Sequence, residues 1–572
     1  MKALFFTPFT GIHQHSTAEA SLAVALKSAG VDIEVITCGG CYRGQCVTLS
    51  AYGIFGTTDQ KKISRTCKRC TAVGASLFGP SLTLEELLRG GVNTASEMDI
   101  EKLLSGITAE NFFDFEFDGM KVGKIAGYQH LLKFKKNSLN ISADEFPIFR
   151  TEMKNCLMTY QGLKVYNTQS RVPELVFIYN TLYSVNAVAR YYFEGLGSTV
   201  YTMHAGSNLR HFYDTLLIAK HHTLHFALAN RNLWPRFSDK QITRKGLSFL
   251  EGHFDELMLG RSAFAYSAPS NPDSANPRDY FKVAPEQKVI LIAMSSNDEN
   301  FAAIQCGAWS PERDEVFPTQ IEWASSLLEF AKTRKDLFFV FRIHPRELPN
   351  KREGLSSEQS KALFEVLRYL PSNAALNVPS DGFSIYQIIA VSDLVLTAWS
   401  SAGLESTLLG LPVLGYSANF QDTPEGFLEV AKTKESYFEK IDLLLGSKWR
   451  IERSIKAARW YALQQERNCV QFETKSPVLT QIQKFRGAER VLNRLVPGLL
   501  PKLGVRSIEL SERVVNMLRN REENPAIHVN YDAESLSPAA EIESVKRFLR
   551  RIGTLAFGAV EKWPKGFGDM LQ

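Results

Sequence analysis

Short runs of consecutive apolar residues, bounded by polar turns, recur along the chain. Between them lie stretches whose apolar positions fall three and four apart. The first run, Lys2-Ala-Leu-Phe-Phe6, predicts a buried strand, and Ala18 to Ser28 predicts an Ala-rich helix that ends at Gly30. Val31 to Ile36 is rich in β-branched residues and predicts a second strand, so the chain opens on a βαβ unit. The same order returns at Val176–Tyr179, Tyr183–Gly195 and Thr199–Thr202. Residues 71–160 carry a mixed pattern that predicts no definite order. Residues 267–279 place three prolines among Ser, Asn and Asp and read as a linker. Beyond it, strands are predicted at 288–293, 337–343, 394–397 and 412–415, with helices at 321–333, 384–390 and 403–409.

Two α/β runs on either side of a linker predict two Rossmann-like domains, 1–270 and 280–450, followed by a helical C-terminal extension over 451–572. Ligands of such sheets bind at the carboxyl ends of the strands, and two joined domains leave a cleft between them. Late in the extension Ile542, Val545, Phe548, Leu549, Ile552 and Leu555 fall at helical spacing, interleaved with Lys546, Arg547, Arg550 and Arg551. Two uses of this amphipathic helix stay open: packing on the body with a solvated basic face, or peripheral contact with a membrane.

Composition adds exclusions. The chain has 572 residues with 66 basic and 61 acidic side chains, and its net charge of +5 is not concentrated in any run. That speaks against a nucleic-acid partner. No apolar stretch approaches the ~18 residues of a membrane span. The first apolar run stops at Pro8 and is too short for a signal peptide. A cytoplasmic protein is expected, at the inner face of the membrane if the basic helix meets lipid. Its eight cysteines are then not expected to form disulfides.

Five of those cysteines cluster in an insertion over 38–70: Cys38-Gly-Gly-Cys41, Cys46 and Cys67-Lys-Arg-Cys70. Two C-x-x-C pairs match a tetrahedral structural zinc site on Cys38, Cys41, Cys67 and Cys70. An iron–sulfur cluster with Cys46 among its ligands is the alternative. Cys156, Cys306 and Cys469 are isolated and read as ordinary residues.

Two further segments carry chemistry. The strand ending at Ile343 runs into His344-Pro345-Arg346, which puts an imidazole at the carboxyl end of the sheet with Arg342 and Arg346 beside it. The strand 394–397 runs into Ser400-Ser-Ala-Gly-Leu-Glu405. Ser400 and Ser401 stand where N-cap hydroxyls belong, Gly403 permits close backbone approach, and a helix start favours an anion. Glu405 can accept from vicinal hydroxyls, as on a ribose. In the first domain His13, His15 and Glu19, in the loop after the first strand, are candidate general bases, and His204 ends another strand at the same edge.

The run Asp393-Leu-Val-Leu-Thr-Ala-Trp-Ser-Ser-Ala-Gly-Leu-Glu-Ser-Thr-Leu-Leu-Gly-Leu-Pro-Val413, with Arg342-Ile-His-Pro-Arg346, resembles the donor site of two-domain GT-B glycosyltransferases. It most resembles the bacterial capsule polysaccharide synthesis family, which includes Kdo transferases. Bacterial sialyltransferases of this architecture also carry His-Pro and Ser-Ser motifs. The resemblance covers about 276–450, and the first domain in outline. It implies that His344, Ser400 and Ser401 bind the donor phosphate and that Glu405 holds the ribose. It favours a CMP-sugar donor, with UDP- and GDP-sugars open, and a surface glycan acceptor that includes the lipid-linked kind. No Asp-x-Asp motif stands at a strand end, so catalysis without a divalent ion is expected, with His344 and the helix start stabilising the leaving phosphate. A sugar-nucleotide epimerase of the same fold and a non-catalytic glycan-assembly protein are the alternatives.

Overall fold

The computed structural model describes all residues except 43, 55–58, 91–98, 213, 221–224, 261–265, 272–274, 310–315, 351–353, 417–422, 425, 473–490, 493–494, 497–498, 506–511 and 524–533. In chain order the strands are β1 (Lys2–Phe6), β2 (Asp32–Thr37), β3 (Leu82–Thr83), β4 (Leu175–Tyr179), β5 (Thr199–Ala205), β6 (Thr215–Lys220), β7 (Lys288–Ala293), β8 (Leu337–Arg342), β9 (Ala374–Asn377), β10 (Leu394–Thr397), β11 (Val413–Gly415) and β12 (Val470–Gln471). They form two sheets, β12-β6-β5-β4-β1-β2-β3 and β11-β10-β7-β8-β9. The second sheet is wholly parallel. In the first, β1 to β5 run parallel, and β6 and β12 close the edge in antiparallel pairs. The two Rossmann-like sheets expected from the sequence are both present.

β4 (LVFIY) and β8 (LFFVFR) are buried at every position. Sheets covered by helices on both faces need such continuous apolar runs rather than alternation. The segment 71–160 supplies part of this cover. Its longest helix, Phe146–Gln169, buries Phe149, Met153, Leu157 and Leu163 in the core that also holds Leu4, Phe6 and Val176.

Strand order decides where the crevices lie. Each sheet winds outward in both directions from its first strand, β1 or β7. The loops after β1 and β4 therefore part from each other, as do those after β7 and β10, and these switch points are where such sheets bind ligands.

The units meet closely. Tyr128, Leu131 and Leu182 of the first form one buried apolar cluster with Ala302 and Ala303 of the second. Lys135 is fully buried, and its ammonium donates to the carbonyls of Arg346 (2.6 Å), Leu348 (3.3 Å) and Leu355 (2.9 Å).

The chain crosses between units more often than the expected boundaries allow. Trp234, Phe237, Leu250, Phe254 and Met258, expected within 1–270, pack in one core with Val289, Leu291 and Val340 of the second sheet. The crossing thus precedes the Pro-rich segment, of which 272–274 lie outside the described residues. At the other end, Ile451–Ala462 packs on the second unit, β12 joins the first sheet, and helix Pro538–Phe557 returns to the second core.

That last helix is the amphipathic one, and of its two open uses the packed one is seen. Val545, Phe548, Leu549 and Ile552 are at most 1% exposed inside the protein core, so this apolar face is not available to lipid. Its basic side is partly engaged as well: Arg551 pairs with Asp255, and Arg550 donates to the Leu571 carbonyl. No described helix is long and apolar enough to cross a membrane.

A bidentate pair locks the helix down. Arg459 donates to both carboxylate oxygens of buried Glu541 (3.0 and 2.6 Å), and the Ile242 amide donates to the same carboxylate (2.8 Å). Removing one partner strands a buried charge. Glu541→Ala should therefore lower stability by about 3 kcal/mol, read as a shift in the urea unfolding midpoint. An unchanged midpoint would show that apolar packing alone holds the helix.

Candidate functional site

At the switch point of the second sheet lies an open cavity of about 620 Å³. Arg342, His344, Ser400, Ser401 and Glu405 all line it, together with Tyr386. Sequence reasoning named the first five. It missed Tyr386, which lies in a predicted helix with no motif around it.

β8 delivers the imidazole. Its chain turns at His344, whose Nδ1 accepts from the Arg346 amide (3.2 Å) as the cap of a short 3₁₀ turn, Pro345–Glu347. An accepting Nδ1 places the proton of the neutral ring on Nε2. Burial, then the charges of Arg346, Arg342 and Lys135, lower the pKa of His344 to about 4. The ring is therefore a neutral donor at physiological pH.

The two arginines divide their tasks. Arg342 lines the cavity, and its guanidinium also donates to Asn377 Oδ1 and to the Phe383 carbonyl (3.3 Å). Burial lowers its pKa to about 10, which leaves it charged. Arg346 instead turns into the protein and grips buried Asp298 through two hydrogen bonds (2.7 and 3.3 Å). It shapes the turn behind His344.

The helix Ser401–Leu408 begins at the same edge. Ser400 caps it, its Oγ accepting from the Ala402 amide (3.3 Å), and Ser401 is exposed. Glu405, one turn in, is 5% exposed and accepts from the Tyr386 hydroxyl (2.8 Å). Burial pushes its carboxyl above the usual range, while the Tyr386 and Ser401 hydroxyls act against that shift. Gly403 does not line the cavity. A Cβ there would come within 2.7 Å of Thr397 Cγ2, so its missing side chain serves the approach of helix to strand rather than of ligand to backbone.

The first-domain candidates gather at the switch point of the first sheet. His15 stacks on Tyr179 at the end of β4 (4.0 Å between ring centres), and Tyr179 in turn stacks on His204 (5.3 Å). Tyr183 stands 6.3 Å from His15. Burial, then the neighbouring His204, lowers the His15 pKa to about 3, so the ring is neutral. His13 opens the helix His13–Ser28, and its carbonyl accepts from Thr17 (2.7 Å). Glu19 is 3% exposed and accepts from Thr7 Oγ1 (2.8 Å), which ties the helix to the end of β1. Tyr128 lies in the buried cluster that joins the two units, and burial raises its hydroxyl well above the usual range.

The cysteines come together differently from the expected zinc set. Cys38, Cys46, Cys67 and Cys70 line one cavity of about 410 Å³, whereas Cys41 stands beside Cys38 (Sγ to Sγ 3.7 Å). Among the described residues no three His, Cys, Asp or Glu side chains stand at the spacing of ligands to one metal ion. None of the eight cysteines is in a disulfide.

No family model matches the chain, and no curated protein matches it. Solved structures do. The UDP-GlcNAc 2-epimerase of Neisseria meningitidis, bound to UDP-GlcNAc, is 13% identical over 81% of this chain and 97% of that one, with a TM-score of 0.26. The β-Kdo 2,4 transferase KpsC of Thermosulfurimonas dismutans is 13% identical over 50% of this chain and 79% of that one, with a TM-score of 0.31. A rhamnosyltransferase of spinosyn, SpnG, is 13% identical over 82% and 96%, with a TM-score of 0.24. Similarities this low assign no activity to the chain.

Glu19 offers a check on the first unit that needs no substrate. Burial raises its folded pKa to about 8, above the unfolded value. The protonated carboxyl therefore contributes stability that is fully present below the unfolded pKa and is lost as pH rises through about 8. Glu19→Gln cannot ionise. Its Tm relative to wild type should rise between about pH 5 and about pH 9. A constant difference would mean that Glu19 is not held protonated.

Proposed function

We propose that the chain is a glycosyltransferase that takes a sugar from a nucleotide donor held at His344, Ser400, Ser401 and Glu405. The observation that carries this reading is the convergence of a neutral imidazole, a helix start and a carboxyl group on one open cavity at a sheet's switch point.

The groups divide the nucleotide between them. The Nε2–H of His344 and the hydroxyls of Ser400 and Ser401 donate to phosphate oxygens, and the start of the helix Ser401–Leu408 adds its positive end. As the sugar bond breaks, charge grows on that phosphate, and donors already in place stabilise it without reorganising. Arg342 supplies fixed positive charge. Glu405, oriented by Tyr386, accepts from the ribose hydroxyls. No metal-binding role is required of these residues. A CMP-sugar is the donor favoured by the likeness of the two motifs, with UDP- and GDP-sugars as the other nucleotides to test.

The acceptor, a glycan hydroxyl, is assigned to the first unit. His15 is the candidate base, backed by Tyr179 and His204. His13 and Glu19 lie on the same helix, with Glu19 tied to Thr7.

Calorimetry with CMP, UDP and GDP tests the donor half. One of the three should bind, and binding by none would overturn the reading. Glu405→Ala should weaken that nucleotide by about tenfold, the value of one hydrogen bond to a charged group. His15→Ala should leave nucleotide affinity unchanged while lowering the transfer rate at least about 100-fold. Consumption of a sugar nucleotide should also depend on added glycan. Conversion of the donor sugar without any acceptor would identify an epimerase instead.

A further inference from the structure

Cys38 and Cys41 have no part in the chemistry above, yet the fold holds them sulfur to sulfur. Cys38 follows the last residue of β2, and the chain then doubles back through Gly39 and Gly40. Both glycines take left-handed conformations (φ 70° and 103°), and the Cys41 amide reaches back to the Cys38 carbonyl (3.5 Å). The two cysteines are thus the first and last residues of one β-turn, and their sulfurs stand 3.7 Å apart.

That turn is the geometry a disulfide needs. A disulfide joins cysteines whose Cα atoms lie about 4.4–6.8 Å apart, and the ends of a β-turn lie less than about 7 Å apart. The sulfurs have only to close from contact to a bond of about 2.0 Å. The turn is also fixed from behind. A Cβ at Gly39 would come within 2.7 Å of Thr83 Cβ and 3.0 Å of Glu85 Cβ, so the backbone of the turn is pressed against the residues that follow β2 in the sheet.

The two sulfurs are not equivalent. Cys38 Sγ accepts from the Gly40 amide (3.3 Å), and an N–H aimed at sulfur favours thiolate over thiol. Neither cysteine is fully buried, so a small solute has access to the pair. The other C-x-x-C pair is built differently. Cys67 and Cys70 lie within helix Gln60–Phe78, and Cys70 Sγ is turned to the loop after β1, where it accepts from the Gly11 amide (3.0 Å) and meets Thr10 Oγ1 (3.3 Å).

We propose that Cys38 and Cys41 are a redox-active dithiol that exchanges with small-molecule disulfides and closes to a disulfide across this turn. Cys38 gives its proton to solvent and attacks one sulfur of the small disulfide. The S–S bond of that molecule breaks, and one half leaves as a thiolate. Cys41 then loses its proton, attacks Cys38 Sγ and expels the second half. The two cysteines give up two electrons and two protons, and the small disulfide becomes two thiols. The bond forms at the carboxyl end of β2, on the first sheet and apart from the donor cavity.

The test uses the full chain, reduced and then equilibrated with graded ratios of oxidised to reduced glutathione, quenched with acid and alkylated. Trypsin cuts after Lys27 and Arg43, and the fragment 28–43 holds Cys38 and Cys41 and no other cysteine. That fragment should lose both alkylatable thiols and two hydrogens as the ratio rises, and should regain them when reduced glutathione is restored. Cys41→Ser should stop at Cys38 carrying one glutathione. Cys46→Ser should close the disulfide as the wild type does. Two alkylated thiols on 28–43 at every ratio would overturn the proposal, as would a disulfide from Cys38 to Cys46, Cys67 or Cys70 in place of Cys41. One zinc per chain, with both thiols of 28–43 shielded from alkylation until a chelator removes the metal, would overturn it in favour of a metal site.

Discussion

The contact between the two units turns on one buried ammonium. Lys135 is wholly removed from solvent, and its three donors are met by three carbonyls of the segment that follows His344. An unpaired charge could not remain there, because the cost of stripping its water would unfold the segment or neutralise the group. Lys135 also holds a left-handed backbone conformation (φ 47°), which a lysine adopts only when its surroundings compel it. Helix Val122–Lys133 ends just before it and packs on helix Asp298–Gln305, which follows β7. The first unit thus grips the second where the imidazole leaves the sheet.

That grip brings two switch points together. Leu182 lies in the loop after β4, beside the stacked rings of Tyr183, His15 and Tyr179, and it packs on the helix that follows β7. The cavity by His344 opens at the carboxyl end of the second sheet, beside the turn whose carbonyls Lys135 meets. The His344 cavity and the stacked rings of His15, Tyr179 and His204 are therefore carried on different sheets.

Burial recurs as the means of setting charge. His344 and His15 are kept neutral, and Glu19 is kept protonated near neutrality. Arg346 is charged but consumed by Asp298. Among the described residues, the positive groups facing the cavity are then Arg342 and the helix start at Ser400.

Much of this was legible in the residues themselves. The apolar runs of β1, β4, β7, β8 and β10 announce parallel strands, because a sheet covered on both faces tolerates no polar alternation. His344 and Ser400–Glu405 announce a site, because a strand end followed by Pro, or by N-cap serines, places polar groups where sheets bind ligands. These are local signals, fixed within a few residues. The remainder depends on partners that folding supplies. Gly403 looked like a ligand contact and proved to be the place where a helix meets Thr397. Arg346 looked like a phosphate ligand and found Asp298. Spacing singled out the two C-x-x-C pairs, whereas folding gathered Cys38, Cys46, Cys67 and Cys70 around one cavity, with Cys41 against Cys38. The basic amphipathic helix offered a face to a membrane or to the protein, and the core of the second unit took it. A sequence pattern states which face must be covered or which atom must be satisfied, but only the tertiary structure decides by what, since the choice lies among groups that folding alone brings together.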